Sequence, residues 1–438
     1  MLTLPEVIGQ SKRERRRAMV KRILSCAAVG GVAVAAILLG NARSGRAQLV
    51  ASSDHTAGYV VFPKLSVDIG DLFLQGRNVD TLIQLTNTGS TCRAVHCSYV
   101  DTTSHCSNGI NSFDRLTGIC RTNRDCDLGG VCIGPAVCGQ GPDFTVFLSA
   151  GQAIGWPAST GTTVSPEGGC PPTTPQTVLG VGVDFFTGEL KCVEVDAADI
   201  VTLTPINSND LKGEASIYEA APGPIGRVDV REYSGIGFQT TVNNGSDQND
   251  KVMCLGVTHG SAECAPGATG QPEYAACPNV LVLDHWFDGA IVSGLAGPVF
   301  ATTDLTLVPC SEDLEDTATP RTTTTTAQFL VYNEFEQRFS TSTRVDCFLE
   351  TQLSRIDAPN NPLASIFSVF VQGTLTGQTR IRPVLGSETD RGHGLIGIAE
   401  EFNSIIGGEV LGSAAFNLNS IGVNQTAGSE KGDFVRLP

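Results

Sequence analysis

The chain is poor in the residues and motifs that most enzymes rely on. Of 438 residues only 3 are Met, 2 Trp and 6 His, and charged residues make up 17%, below the roughly 25% of an average globular chain. So few histidines leave little for general-base chemistry. There is no G-x-S-x-G elbow, no P-loop and no H-E-x-x-H, which sets aside the common hydrolase, nucleotide and zinc-protease signatures. No C-x-x-C occurs either, so a c-type haem attachment and a thioredoxin-like pair are absent. Basic residues are scarce as well. Residues 1–47 hold 9 of the 29 Lys+Arg and 2 of the 45 Asp+Glu, leaving 20 positive and 43 negative charges, a net of −23 over 391 residues. Such a body repels phosphate backbones and anionic lipid, which argues against nucleic-acid partners and polybasic membrane attachment.

What is present begins with an address. Residues 12–22 (KRERRRAMVKR) are densely basic, and the uncharged stretch 23–40 (ILSCAAVGGVAVAAILLG) follows. A basic head, an apolar middle and a small-residue exit form an export signal. Two exits fit, Ala42-Arg43-Ser44 and Gly45-Arg46-Ala47, and the second, before Gln48, is preferred. Arg16-Arg17-Ala18-Met19-Val20-Lys21 resembles the bacterial twin-arginine motif, which implies export of an already folded chain. The competing reading is an uncleaved anchor at residues 23–40, short for a bilayer that needs about 20 apolar residues. Both place the body outside the cytoplasm, in the periplasm, at the cell surface or beyond it.

Cys26 leaves with the signal, and fourteen cysteines remain: Cys92, Cys97, Cys106, Cys120, Cys126, Cys132, Cys138, Cys170, Cys192, Cys254, Cys264, Cys277, Cys310 and Cys347. An even number in an exported chain predicts disulfides, up to seven. Half of them crowd into 92–138, where Cys120, Cys126, Cys132 and Cys138 are separated by equal five-residue gaps. The segment 101–140 reads as a disulfide-stapled insert with too little apolar surface to fold unaided. It resembles short cysteine-rich modules of secreted proteins. The alternative is a metal site, since Cys92, His96, Cys97, His105 and Cys106 offer soft ligands within fifteen residues, though not at the usual zinc spacing.

Alternating apolar and polar residues predict strands at 59–69, 80–88, 93–100, 143–149, 188–195, 215–219, 280–287, 299–308 and 328–333, with two more inside 365–383. Only 395–406 hints at helical periodicity. Pro/Gly/Thr-rich 157–178 and the cysteine-bearing zone 259–279 read as loops. The pieces LIQLTNTGS (82–90) and DFTVFLSAGQ (143–152) resemble the strand-and-turn motifs of bacterial immunoglobulin-like surface domains. The resemblance implies a β-sandwich and carries no activity. QFLVYN followed by RVDCFLE (328–350) echoes LIQLTN followed by AVHCSYV (82–100), weak support for two related sandwiches. The expected architecture is therefore mainly β: two immunoglobulin-like β-sandwich domains, 53–210 with the insert and 211–438. No regular series of amphipathic ten-residue strands with aromatic girdles suggests an outer-membrane barrel.

The best candidate for chemistry is Leu283-Asp284-His285-Trp286-Phe287-Asp288-Gly289. On a strand Asp284, Trp286 and Asp288 share a face; in a turn Asp284, His285 and Asp288 converge on a hard or borderline cation. The acidic runs 247–250 and 311–316 lack EF-hand spacing and read as solvated loops. His393 reads as a loop histidine, and His259 beside Ser261 carries no dyad pattern. Trp286 with Tyr274 is a possible sugar platform. Asn244 and Asn424 begin glycosylation sequons, relevant only in a eukaryotic source. These features predict an exported, non-catalytic protein without a cofactor, engaged in adhesion, envelope structure or binding of a surface protein or glycan. The alternative is a metal-dependent hydrolase or carbohydrate-binding protein using Asp284, His285 and Asp288 with a divalent cation.

Overall fold

The computed structural model describes residues 50–69, 78–103, 105–106, 132–133, 139–165, 170–172, 174–198, 200–220, 228–241, 251–260, 263–265, 272–294, 297–315, 324–384, 394–405, 410–423 and 432–438. The export segment with Arg16, Arg17, Lys21 and Ala47, most of the insert including Cys120, Cys126 and Cys138, and Asp247, His393, Asn244 and Asn424 lie outside them. The fold is mainly β, and among the described residues none of its several sheets closes into a barrel. Among the described residues no helix is long and apolar enough to cross a membrane.

The first sheet has nine strands. Its path runs Val228–Ser234, Leu211–Ala220, Asn78–Asn87, Tyr59–Asp68, Phe185–Val195, Arg93–Asp101, Gly139–Leu148, with Ala153–Pro157 and Ile236–Phe238 pairing off it. Strand 59–68 slips register between Phe62 and Leu65, because Pro63 has no N–H to give the ladder. The sheet curls around Phe62, Leu65, Ile83, Val146, Trp156 and Leu190, all buried. The two pieces of the surface-domain motif meet here. Asn87 donates from Nδ2 to the carbonyls of Thr91, Leu148 and Ser149 and accepts from Gly89 N at 2.9 Å. Gly151, at φ +69°, turns the second piece back so that its N–H reaches Gly89 O.

Strands 211–220 and 228–234 complete this sheet, the former pairing residue by residue with 78–87. Residues on both sides of the expected 210/211 boundary thus share one sheet, and Leu49–Pro438 forms one compact unit. A second core joins Tyr59, Phe238, Tyr274, Ile396 and Val435 from both halves.

The second half is a sandwich of two five-stranded sheets. One runs Arg338–Asp346, Thr324–Asn333, Thr376–Val384, Pro278–Trp286, Asn419–Val423; the other contains Ala290–Gly294, Gly297–Pro309, Leu395–Ser404 and Val410–Asn417, with Leu349–Gln352 off its path. Leu281, Leu283, Phe329, Val331 and Ile381 of the first meet Leu305, Leu307 and Ala399 of the second in a dry core. The possible helix at 395–406 is instead a strand, paired on both sides. Being covered on both faces, it shows a continuous apolar run without clean alternation. The two strands expected within 365–383 are one strand preceded by a single helical turn, Val369–Gln372, capped by Ser368 and ended by Gly373 at φ +68°.

Four disulfides are formed among the described residues: Cys92–Cys170, Cys97–Cys192, Cys254–Cys264 and Cys277–Cys310. Cys347 is disulfide-bonded too. Cys92 and Cys97 therefore bond outside the insert, across 78 and 95 residues. Their sulfurs are consumed, so they cannot serve the metal site considered for Cys92, His96, Cys97, His105 and Cys106. Cys106 and Cys132 oppose each other in a short backbone ladder.

Candidate functional site

Alternation on four neighbouring strands builds two very different faces. On Pro278–Trp286 the side chains of Leu281, Leu283 and His285 turn into the core, while Asp284 and Trp286 turn outward. Thr376–Val384 buries Thr379 and Ile381 and presents Gln378, Arg380 and Arg382. Thr324–Asn333 buries Ala327, Phe329 and Val331 and presents Gln328, Leu330 and Tyr332. Arg338–Asp346 presents Arg338, Ser340, Ser342 and Arg344. Period-two geometry forces this division.

Register then aligns the outward residues into rows. Asp284, Gln378, Tyr332 and Arg338 form one; Val282, Arg380, Leu330 and Ser340 form the next; Arg382, Gln328 and Ser342 follow. Neighbouring strands lie about 4.8 Å apart, so the rows adjoin in one mostly polar platform. Its centre is ordered. Gln378 Nε2 donates to Asp284 Oδ1 at 2.9 Å, and Arg380 Nε donates to Gln378 Oε1 at 3.2 Å. The Arg380 guanidinium sits 5.3 Å over the Tyr332 ring. Trp286 closes one end, opposite Thr376, half-exposed.

The expected trio does not converge. Asp284 belongs to this platform, whereas His285 faces the opposite side. Its Nδ1 lies 2.9 Å from Trp286 O and its Nε2 2.8 Å from Thr379 Oγ1. A carbonyl only accepts, so Nδ1 carries the proton and Nε2 accepts from the Thr379 hydroxyl. Burial lowers the imidazole to about 4 despite the carbonyl bond and nearby Asp284, and it stays neutral. Asp288 is buried, with Oδ1 accepting from Thr303 N at 3.0 Å and Oδ2 from Ser354 N at 2.9 Å. Its carboxylate pins a loop and a strand, and burial raises its pKa against those hydrogen bonds. Among the described residues no three His, Cys, Asp or Glu side chains are grouped so as to hold a metal ion. Tyr274, paired with Trp286 in the sequence reading, is 1% exposed and packs edge-on against Tyr59. The aromatics on the platform are Tyr332 and, at its end, Trp286.

Several charges elsewhere are turned inward. Lys64 pairs with Glu350 at 2.8 Å and with Glu400, which also takes Arg231 at 2.8 Å; Arg231 reaches Asp229 and Glu219 as well. Burial would lower Lys64, but Glu350 and Glu400 outweigh it and raise its pKa. Nearby Asp304 is pushed up to about 7 by burial, with Lys64 opposing and Glu400 and Glu350 adding to the rise. The acidic run 311–316, expected as a solvated loop, is likewise partly internal. Buried Glu312 pairs with Lys191, itself 2.6 Å from Glu189, and burial raises Glu189 to about 8. Strand Glu312–Asp313 is held against Asp433–Arg436, which brings part of the run inside.

The platform arginines and Tyr332 were not singled out from sequence. Their signal was there in the alternation of TGQTRIRPV and RFSTSTR; only the register shows that the polar positions adjoin. Gly392-His393-Gly394-Leu395-Ile396-Gly397 also spells G-x-G-x-x-G, but a strand and not a helix begins at Leu395, so the dinucleotide fingerprint lacks its helix.

No protein family matches the chain, and no curated protein matches it. Among solved structures it is similar to the crystal structure of the CupB6 tip adhesin from Pseudomonas aeruginosa, over 88% of this chain and 93% of that one, at 9% sequence identity and a TM-score of 0.10. A score this low carries no argument about fold or role.

Proposed function

We propose that the chain is an exported, non-catalytic binding protein that works at the cell surface or in the periplasm and uses the platform around Asp284, Gln378, Arg380, Tyr332 and Trp286 to hold a partner. Four disulfides support exposure to an oxidising compartment, in keeping with the basic and apolar N-terminal segment. The observation that carries the binding reading is the ordered chain Asp284–Gln378–Arg380–Tyr332 on a solvent-facing sheet surface. An ordered polar surface loses less freedom on binding than a mobile one. His285 and Asp288 support the non-catalytic reading, because both are buried and spend their polar atoms on internal partners.

The test is an array of glycans and purified surface proteins, probed with protein purified after expression of the full chain into an oxidising compartment. The double variant Trp286→Ala/Arg380→Ala is run beside it. Wild type is expected on at least one class of spot, with at least tenfold weaker retention of the variant at unchanged circular dichroism. Equal retention of the two, or none of the wild type, overturns the reading.

A further inference from the structure

Charge is distributed unevenly in this molecule. The body carries 20 basic residues against 43 acidic ones, and Lys64, Lys191 and Arg231 are spent on buried carboxylates. Yet Arg338, Arg344, Arg380 and Arg382 all stand on the outer face of one sheet, where the carboxylates on the same strands are Asp284 and Asp346. Arg344 is paired with Asp346, and Asp284 is engaged by Gln378. Arg338, Arg380 and Arg382 remain as a cationic strip spanning three adjoining rows.

Resting on the binding reading above, we propose that this platform takes a uronic-acid polysaccharide, an extended chain of sugar rings bearing carboxylates. Three features select that chemistry together. Guanidinium forks match carboxylates with paired, charge-assisted hydrogen bonds. The hydroxyls and amides between them, Ser340, Ser342, Gln328 and Gln378, suit sugar hydroxyls. Partly buried Trp286 at one end adds aromatic surface beside them. A protein partner fits less well, since interface cores are depleted in charge and the apolar side chains of this face, Val282, Leu330, Val384 and Ile421 of the fifth strand, are interrupted by Arg338, Arg380 and Arg382. The acidic body disfavours any polyanion; a duplex, with one charge per about 1.7 Å, is opposed more strongly than a uronate chain with one carboxylate per sugar ring. Opposed to a general polyanion sink, the strip is small and set among hydroxyls.

Affinity electrophoresis in gels containing polygalacturonate, its carboxyl-reduced counterpart, or dextran sulfate separates the outcomes. Retardation is expected in polygalacturonate and at least tenfold weaker in the carboxyl-reduced polymer. Arg380→Gln and Arg382→Gln are each expected to weaken retardation about tenfold with unchanged melting, Trp286→Ala to weaken it about tenfold with unchanged circular dichroism, and added salt to weaken the arginine-dependent part. Equal retardation in the carboxyl-reduced polymer overturns the acid specificity and leaves the binding platform standing. Stronger retardation in dextran sulfate that survives Trp286→Ala overturns the proposal in favour of simple ion exchange. No retardation in any gel, with the array binding only protein spots through the same residues, overturns the glycan and keeps the platform. Loss of binding in both experiments overturns the platform itself.

Discussion

Two groups of basic side chains and carboxylates in this protein have similar chemistry and opposite surroundings. Around Glu400, Lys64 and Arg231 converge on one carboxylate from strands of the first sheet, with Glu350 completing the group. Around Asp284 and Arg380, similar groups lie on a sheet face open to water. In the first group each ion depends on its neighbours, because a buried charge without a partner is costly. In the second, water can replace any partner, so the pairs contribute little stability. The difference teaches where to look for function: charges satisfied internally hold the fold, and charges ordered at the surface are available to something else.

That contrast can be broken in several places. The largest effect is expected at the buried end, where Glu400→Ala leaves Lys64 and Arg231 facing each other without their shared carboxylate. Urea unfolding should show a loss of about 3–5 kcal/mol; a loss no larger than that of a surface variant would erase the distinction.

Next comes pH. His285 is neutral in the fold at about 4, below its unfolded value near 6.5. A depressed histidine gives stability that is complete above the unfolded value and is lost as pH falls from about 6.5 to about 4. Asp304 works the other way: raised to about 7, it gives stability present below the unfolded carboxylate value and lost as pH rises through about 7. The useful reading is therefore the stability difference between wild type and His285→Gln. It should shrink by about 3 kcal/mol from pH 6.5 to 4, and a flat difference would show that the histidine is not held neutral.

Asp288→Ala should cost about 2 kcal/mol by orphaning the Thr303 and Ser354 N–H groups, measured by thermal melting. Asp288→Asn, which keeps one acceptor, should recover part of that loss. The smallest effect sharpens the contrast from its other side. Arg380→Ala should change stability by no more than about 0.5 kcal/mol while removing most of the binding. A large stability loss there would make the platform a structural element.

Much of the strand pattern was readable from alternation. The strands expected at 93–100 and 299–308 are found at Arg93–Asp101 and Gly297–Pro309. The failures share a cause. Leu395–Ser404 carries its apolar residues consecutively because it is sandwiched between two strands and two layers, and Glu312 lies in a run of acids yet finds Lys191 from a strand 121 residues earlier. Strand parity puts Asp284 on the outer face and sends His285 inward, away from it. The convergence expected of the trio required a turn where the chain continues as a strand to Trp286.

By itself, the sequence determined the local matters: which segments extend, where the turns at Gly89 and Gly151 fall, that thiols are numerous and that the body is acidic. These follow from side-chain period and backbone freedom, which act within a few residues. The tertiary structure alone decided that Lys64 meets Glu400 across 336 positions, that Cys97 meets Cys192, and that Tyr332, Arg380 and Asp284 adjoin. Strand register and burial set those partnerships, and both depend on every strand in the sheet at once.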